Sequence, residues 1–352
     1  MKIFLETHNL NNPYSGFGQF NYKLIEAMSK SDLSGLDITI SSGKTTELKK
    51  DFGNSFTYHL YKSFTRYSFF RIRKRYDLWH SMNQNTKIEP HQNLPYLLTV
   101  HDVNFMEEFT GERLDELIAR FKEKLHRANS IVYISKYAQE MTHKYFTVPN
   151  VKETIIYNGS PEVTDVPEAF EPSCNLTQPF LFTIGGLIPK KNFHTLVEML
   201  RFLPDYQLVI AGKNTTKYAD EIRELMHKYD LLDRVFLPGK ISEQEKHYYY
   251  KRCAAFVFPS LREGFGIPPI EAMKMGKPVI AANSSSIPEV CGDNATYWDH
   301  FEPEYMSKIV LEAIETYNSN MDDLSKQYRN HAESYSWETA AQQYLEIYRS
   351  FQ

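Results

Sequence analysis

From Pro179 to Asn283 the chain alternates between short apolar runs and amphipathic stretches. PFLFTIGG, YQLVIAG, VFLPG, CAAFVFPS and KPVIAAN read as strands, and NFHTLVEMLRFL, YADEIRELMHKYDL, EQEKHYYYKR and IPPIEAMKMG read as the helices between them. Strands that are apolar at nearly every position are buried on both faces, which happens in parallel sheets covered by helices. The alternation therefore dictates a doubly wound α/β domain, with its ligand crevice outside the carboxyl ends of the strands.

A looser version of the same pattern fills the first half. MKIFLE, LDITI, DLWHS, YLLTVHD and SIVYIS read as strands, NNPYSGFGQFNYKLIEAMSK as a glycine-containing loop running into a helix, and Asp115 to His126 as a further helix. Between the halves, residues 161–179 (PEVTDVPEAFEPSCNLTQP) are dense in Pro, Glu and Thr and have no periodicity, as expected of a linker. At 352 residues the chain exceeds the roughly 250–300 at which single cores stop growing. The expected organisation is two Rossmann-like doubly wound domains, 1–170 and 171–335, facing an interdomain cleft. Residues 336–352 form a closing helix, capped by Ser336, that packs back toward the first domain.

Charge and cysteine usage narrow the function. A net charge of −4 gives no reason to expect nucleic acid. Cys174, Cys253 and Cys291 lie far apart without metal or redox spacing, which fits buried thiols in a reducing compartment. No leader-like apolar run opens the sequence and none reaches the roughly 20 residues of a membrane span. The expected location is cytoplasmic, with any membrane contact peripheral.

Chemistry gathers at three strand ends. In FTIGGLIPKKNFHTLV, Gly185 and Gly186 follow a strand and Lys190, Lys191 and Asn192 precede a helix. Glycine lets backbone N–H groups approach an anion and a lysine neutralises it; a plain Gly-Gly turn with a solvated lysine pair is the alternative. In FPSLREGFGIPPIEAMKMG, Arg262 and Glu263 sit in a loop with Gly264, Phe265 and Gly266, and Glu271 lies in the following helix. Carboxylates are good acceptors for hydroxyls, so the two glutamates suit a polyol such as a sugar or ribose. Pro259, Pro268 and Pro269 limit loop entropy and favour a preformed site. A capping glutamate beside a solvated one is the competing reading. In LLTVHDVNF, His101 and Asp102 stand just beyond a strand, placed either for a ligand or as turn residues. Gly16 and Gly18 of SGFGQF lie where the first strand meets its helix, without the full G-x-G-x-x-G fingerprint of a dinucleotide site.

With these residues assembled, FPSLREGFGIPPIEAMKMGKPVIAANSSSIPEVCGDNA resembles the donor-site signature of glycosyltransferase family 4, the retaining, nucleotide-sugar-dependent enzymes of the GT-B architecture. TIGGLIPKKN, YNGS and SYSWETAAQQYLEIY match further family landmarks in order. The resemblance implies that Glu263 is the first glutamate of the E-x7-E motif, near the donor sugar hydroxyls and the reacting face, and Glu271 the second, on the nucleotide ribose. It likewise implies that Lys191 meets the pyrophosphate and that the amides of Gly264, Phe265 and Gly266 meet sugar or phosphate. Gly16 and Gly18 resemble the glycine loop near the donor phosphates, and His101 the histidine near the sugar's 6-hydroxyl. Gly185 begins the lysine motif. Two departures stand out: Gly186 occupies a position where many members carry arginine, with Lys190 or Arg262 as partial replacements, and Ser285 and Ser286 stand where relatives commonly have glycine.

The implied reaction moves a hexose, best matched as mannose from GDP-mannose, to a hydroxyl of a glycan or lipid-linked glycan, as in cell-surface polysaccharide synthesis. Attack comes from the same face as the departing phosphate, no metal or other cofactor is expected, and Glu263 orients rather than acting as nucleophile. UDP-glucose, UDP-galactose and UDP-N-acetylglucosamine remain open as donors. So does a nucleotide-sugar-binding protein that kept the fold and lost turnover. A dehydrogenase would need the complete glycine fingerprint followed by an acidic residue. On the acceptor side, residues 61–76 (YKSFTRYSFFRIRKRY) interleave Lys62, Arg66, Arg71, Arg73, Lys74 and Arg75 with aromatic rings in a helix-like segment. It reads as either a peripheral contact with an anionic membrane or a solvated helix with a buried aromatic stripe.

Overall fold

The computed structural model describes residues 1–12, 15–160, 162, 166–167 and 169–352. Pro13 and Tyr14 of the glycine loop, and residues 161, 163–165 and 168 of the expected linker, lie outside the described residues. The chain packs as two compact units, Met1–Gly159 with Ser336–Gln352, and Ser160–Tyr335. The first boundary falls ahead of the proline-rich run, not at 170–171.

Unit 1 is built on seven parallel strands: β1 (Lys2–Glu6), β2 (Asp37–Ser42), β3 (Thr57–Leu60), β4 (Leu78–Ser81), β5 (Tyr96–Val100), β6 (Ser130–Tyr133) and β7 (Lys152–Ile155). Their order across the sheet is β3-β2-β1-β4-β5-β6-β7. The chain runs outward from β1 to β3 and then returns to pair β4 against β1, with Glu6 opposite Ser81. Strands β4, β5 and β6 are buried at every position, as their apolar runs require, whereas the edge strands β3 and β7 carry exposed and half-buried residues.

The helix Gly111–Arg127 buries Leu117, Phe121, Lys124 and Leu125, a stripe at helical spacing. The lysine is tolerated there because its ammonium pairs with Glu89 and reaches Ser81 Oγ at 3.0 Å and Tyr96 Oη at 3.2 Å, while Arg127 meets the same carboxylate at 3.2 Å. Removing one partner of such a buried pair costs about 3–5 kcal/mol.

The closing helix Trp337–Arg349 starts at Ser336, whose hydroxyl accepts the Thr339 N–H at 3.1 Å, and belongs to unit 1. Three contacts hold it there: Tyr348 Oη lies 2.7 Å from His80 Nδ1, Tyr344 Oη lies 3.1 Å from Thr99 Oγ1, and the Trp337 ring packs against Phe20. A Cβ on Gly159 would stand 2.2 Å from the Trp337 nitrogen, so only glycine fits where the chain leaves the unit.

Residues 61–76 do not form the expected helix. They make two short 3-10 turns, Ser63–Arg66 and Ser68–Phe70. Aromatic side chains and the hydroxyls of Ser63, Thr65 and Ser68 disfavour an α-helix. Nor is there a buried aromatic stripe: Phe64, Tyr67, Phe69 and Phe70 are exposed, Phe69 by 74%, and of the rings in this stretch only Tyr76 is fully buried.

Unit 2 follows the alternation closely. Its strands β8 (Phe180–Ile184), β9 (Gln207–Ala211), β10 (Val235–Gly239), β11 (Ala255–Phe258), β12 (Val279–Ala282) and β13 (Thr296–Trp298) are parallel in the order β10-β9-β8-β11-β12-β13. The core sets Leu181, Leu208, Ile210, Val257 and Ile280 of the sheet in one cluster with Leu196, Val197 and Leu200 of the helix His194–Leu200. Truncating one such leucine to alanine costs about 2–5 kcal/mol. The chain winds out from β8 to β10 and then returns to place β11 beside β8, so the carboxyl ends of β8 and β11 are neighbours at a topological switch point. Cys174, Cys253 and Cys291 are all buried free thiols.

Candidate functional site

The two loops at this switch point carry the residues singled out in the sequence. After β8 the chain passes Gly185 and Gly186, makes a 3-10 turn over Pro189–Lys191, and bends through Asn192 at φ 58° into the helix His194–Leu200. A close backbone approach sets this loop: a Cβ on Gly212, at the end of β9, would lie 1.8 Å from the Gly185 carbonyl oxygen. Gly185 in turn has Lys191 Cε 3.3 Å from where its own Cβ would be, so the lysine stem lies along the glycine.

After β11, residues 259–266 lead into the helix Ile267–Lys274, which begins at Gly266 with φ 100°, a conformation open to glycine. The Leu261 N–H donates to the Lys190 carbonyl at 2.9 Å, tying the two loops together. Lys191 and Glu263 then meet as an ion pair, both largely shielded from solvent. The Ser260 hydroxyl donates to the same Glu263 oxygen at 2.6 Å, and the Lys191 ammonium stands 5.2 Å from the Phe258 ring centroid.

A third loop braces this carboxylate. The Glu263 N–H donates to Ser285 Oγ at 3.0 Å, the Ser286 hydroxyl donates to the Glu263 carbonyl at 3.0 Å, and the Ser284 hydroxyl donates to the Leu261 carbonyl at 2.7 Å. Ser285 takes φ 57° to do this. Ser285 and Ser286 thus hold the backbone of Glu263.

Glu271 lies in the second turn of its helix, with two partners on the helix Glu243–Arg252. Lys246 reaches one carboxylate oxygen at 2.8 Å and the Tyr250 hydroxyl donates to the other at 2.7 Å. Burial works against the Lys246 charge, but the attraction of Glu271 and Glu243 outweighs it and raises its pKa. Burial and the neighbouring Glu271 carboxylate push the Tyr250 phenol up, so it stays a donor. Sequence reasoning passed over both residues, although their i, i+4 spacing in EKHYYYKR puts them on one helical face.

In unit 2, Gly185, Lys191 and Glu263 come together at the switch point, Arg262, Gly264, Phe265 and Gly266 lie in the loop of Glu263, and Glu271 stands in the helix that follows. The Phe265 ring is buried against Tyr335. Gly186 is exposed, and a Cβ there would meet nothing within 4 Å.

The remaining predicted residues, Gly16, Gly18 and His101, lie in unit 1. The Ser15 hydroxyl caps the helix Gly16–Ser29 by accepting the Gly18 N–H at 3.0 Å, and a Cβ on Gly18 would stand 2.0 Å from the Asn12 carbonyl oxygen. Gly18 is therefore glycine because of packing, and its amide is committed to the cap. Gly16 has open space where a Cβ would be. His101 is buried between the rings of Phe17 and Phe20, with Nε2 2.9 Å from the Met82 carbonyl. Burial pushes its pKa down to about 4, so at neutral pH it is uncharged, donates from Nε2 and keeps Nδ1 as an acceptor. Among the described residues no group of three or more His, Cys, Asp or Glu is arranged to hold a metal ion. None of their helices is long and apolar enough to cross a membrane.

Residues 167–334 match the family model for glycosyl transferases group 1. The chain is 27% identical over 221 residues to the O-antigen chain mannosyltransferase RfbU of Salmonella typhimurium, covering 61% of each chain. It is 24% identical over 274 residues to O-antigen chain mannosyltransferase B of Escherichia coli, covering 74% of this chain and 71% of that one. The match thus spans less than two thirds of the first relative's length. The crystal structure of Anabaena Alr3699/HepE in complex with UDP-glucose superposes with a TM-score of 0.73 over 99% of both chains at 16% identity, which shows the shared fold. Two parallel Rossmann-like sheets and the switch-point site of unit 2 agree with these matches: the chain has the GT-B fold, and its residues 167–334 carry the match to the glycosyl transferases group 1.

Proposed function

We propose that this protein transfers a hexose, with retention, from a nucleotide sugar to a hydroxyl of a glycan or lipid-linked glycan, unit 2 holding the donor and unit 1 serving the acceptor. The observation that carries the reading is the Lys191–Glu263 pair at the switch point. The barrier lies in breaking the anomeric C–O bond while negative charge grows on the leaving diphosphate. Lys191 and the amides of residues 264–266 supply fixed positive charge for it. Glu263, fixed by Ser260, Ser285 and Ser286, accepts hydroxyls of the donor sugar and orients it. Glu271 accepts the ribose hydroxyls, with Lys246 and Tyr250 holding it in place. The acceptor oxygen attacks from the face the phosphate leaves, and the leaving phosphate takes its proton. His101, neutral and acceptor-capable at Nδ1, suits a sugar hydroxyl.

The names of the two relatives support mannose, whereas the UDP-glucose complex of the same fold keeps a UDP-sugar equally in play. Glycine at the exposed position 186, which supplies no cation of its own, supports a second reading, a donor-binding protein of weak or no turnover. Saturation-transfer NMR against GDP-, UDP-, ADP- and dTDP-sugars, followed by a nucleoside-diphosphate release assay, separates these readings. Selective binding of one donor with release of its diphosphate on adding acceptor supports transfer. Binding without release supports the second reading, and binding of no nucleotide sugar overturns both.

The exposed rings of Phe64, Tyr67, Phe69 and Phe70, flanked by Lys62, Arg66, Arg73, Lys74 and Arg75, support peripheral contact with an anionic membrane, which suits a lipid-linked acceptor. Cosedimentation with phosphatidylglycerol vesicles tests this. Binding lost in the Phe69→Ser, Phe70→Ser double variant supports it, and binding unchanged by that variant, or no binding at all, removes it.

A further inference from the structure

We propose that Glu6 and His8 form a binding site for a sugar hydroxyl on unit 1, with His8 Nε2 accepting the hydroxyl's hydrogen bond and the Tyr61 ring flanking the pyranose. The inference deepens the proposed function, since it rests on unit 1 serving the acceptor.

Glu6 ends β1 and is fully buried. Strand β1 is the one beside which the sheet order of unit 1 reverses, because β4 returns to pair with it, and crevices open outside the carboxyl ends of such strands. A carboxylate buried there needs a partner, and it has His8: Glu6 Oε1 lies 2.6 Å from Nδ1 and accepts the His8 backbone N–H at 3.2 Å. A carboxylate at Nδ1 keeps the proton on that nitrogen, so in the neutral ring Nε2 carries the lone pair. That nitrogen has no partner among the described residues, and the His8 side chain is 25% exposed, enough for a ligand to reach.

The surroundings are those of a sugar site. The Tyr61 ring lies 5.5 Å from the imidazole, tilted 40° to it, and Arg66 fixes the ring's orientation by donating to its hydroxyl at 2.9 Å. An aromatic face beside a hydroxyl acceptor is the pairing a pyranose uses, its C–H face on the ring and its hydroxyl on the acceptor. Buried polar atoms here that have no partner among the described residues include Asn9 Nδ2, next to His8 in the chain, and Gln84 Nε2, in the loop after β4. Unsatisfied buried donors are rare in folded proteins and mark places where a ligand or water completes the bonding. A pair serving stability alone would account for Glu6 but not for an unpartnered ring nitrogen on a part-exposed histidine beside an oriented ring.

The arrangement carries a pH signature. Burial opposes the His8 charge, yet the attraction of Glu6 outweighs it and the pKa is raised above the ordinary histidine value. The charged and titratable groups facing the ring are Glu6 from β1, Tyr61 and Arg66 from the segment after β3, and Lys124 from the helix Gly111–Arg127. Imidazole is the side chain whose ordinary titration lies nearest neutral pH, so the profile is read from the ordinary histidine value of about 6.5 upward. Protonation consumes the Nε2 lone pair, so sugar binding rises as the pH climbs through the His8 titration.

The test is saturation-transfer NMR on the full chain with methyl α-mannopyranoside, methyl α-glucopyranoside and methyl α-galactopyranoside as probes, and GDP-mannose and UDP-glucose in parallel samples. The expected result is that at least one methyl glycoside binds, more strongly at the high end of the pH range. Its affinity should fall about fivefold or more in His8→Ala and in Tyr61→Ala, the loss of one hydrogen bond of about 1 kcal/mol. His8→Gln, which retains an acceptor oxygen, should recover part of it. Equal binding in wild type and variants, a pH-flat profile, or no binding of any glycoside would overturn the proposal. The nucleotide-sugar samples separate the two levels. Loss of donor binding by the wild type defeats the donor reading and leaves the glycoside result to stand or fall by itself. Where a variant loses donor binding through misfolding, the wild-type pH profile decides.

Discussion

Lys191 and Glu263 stand on loops leaving neighbouring strands, and their side chains meet in a shielded ion pair that Ser260 shares. The pair keeps two charges in place before any donor arrives; on the proposed reading the diphosphate then meets a cation already positioned, with little reorganisation when the bond breaks. When Lys191 turns to the phosphate, Glu263 keeps the hydrogen bond from the Ser260 hydroxyl.

Lys191→Ala should therefore lower turnover by about 10²-fold or more, because it removes the cation from the leaving group and strands Glu263. Turnover at saturating donor, measured beside the donor Kd, checks this. A variant with near-wild-type turnover removes the leaving-group role.

The serine bracket yields a prediction in which stability and activity part. Ser285 sits at φ 57°, a conformation costing a non-glycine residue about 1–2 kcal/mol, and its hydroxyl regains about 1 kcal/mol by accepting the Glu263 N–H. In Ser285→Gly both terms vanish, so the unfolding midpoint should change little. Turnover should fall about fivefold as the Glu263 backbone loses its anchor. Calorimetry and a donor-hydrolysis or transfer assay read the two separately. A drop in midpoint with unchanged turnover would show that the serine serves the fold alone.

Glu271→Ala should weaken donor binding about tenfold or more, the equivalent of one charge-assisted hydrogen bond to a ribose hydroxyl. It also leaves Lys246 with Glu243 as its remaining carboxylate partner. Glu271→Gln keeps an acceptor for the Tyr250 hydroxyl and should lie between the two. Titration calorimetry with the donor found to bind supplies the Kd, and an unchanged value for Glu271→Ala removes the ribose role.

How far the sequence reveals this arrangement depends on what each residue's role rests on. The central strands of unit 2 are legible because they are buried on both faces and so are mostly apolar, as LVIA of β9 and AFVF of β11 are. Lys191, Glu263 and Glu271 are legible because their motif is local, a few residues around one turn. Lys246 and Tyr250 are not, because what gives them meaning is a helix crossing to Glu271 from another part of the chain. Gly18 misleads for a related reason: a glycine at a loop-to-helix junction looks made for a ligand, whereas it is needed to clear the Asn12 carbonyl. The 61–76 segment misleads through composition, since alternating basic and aromatic residues suit a helix surface as well as the exposed 3-10 turns that form. Glu6 and His8 go unnoticed because two residues apart on a strand end they resemble any polar turn until the strand order places them at the switch point.

The buried histidines of unit 1 make its stability depend on pH in a direction that can be worked out. His80 bonds Tyr348 and Thr99 through its two nitrogens, and burial pushes its pKa down to about 3; that of His101 is pushed down to about 4. In the unfolded chain both titrate near about 6.5. Between these values the unfolded state binds protons that the folded state refuses, so stability is fully present above about pH 6.5 and is lost as the pH falls toward 4. Each imidazole should contribute about 2 kcal/mol of destabilisation between pH 7 and pH 5, where carboxylates remain largely ionised. Urea unfolding of the wild type and of His80→Gln at these two pH values isolates the His80 share as the difference between their pH dependences. A variant whose loss from pH 7 to pH 5 matches that of the wild type would show that His80 accepts a proton in the folded chain, and that the network joining β4 and β5 to the closing helix tolerates a charge.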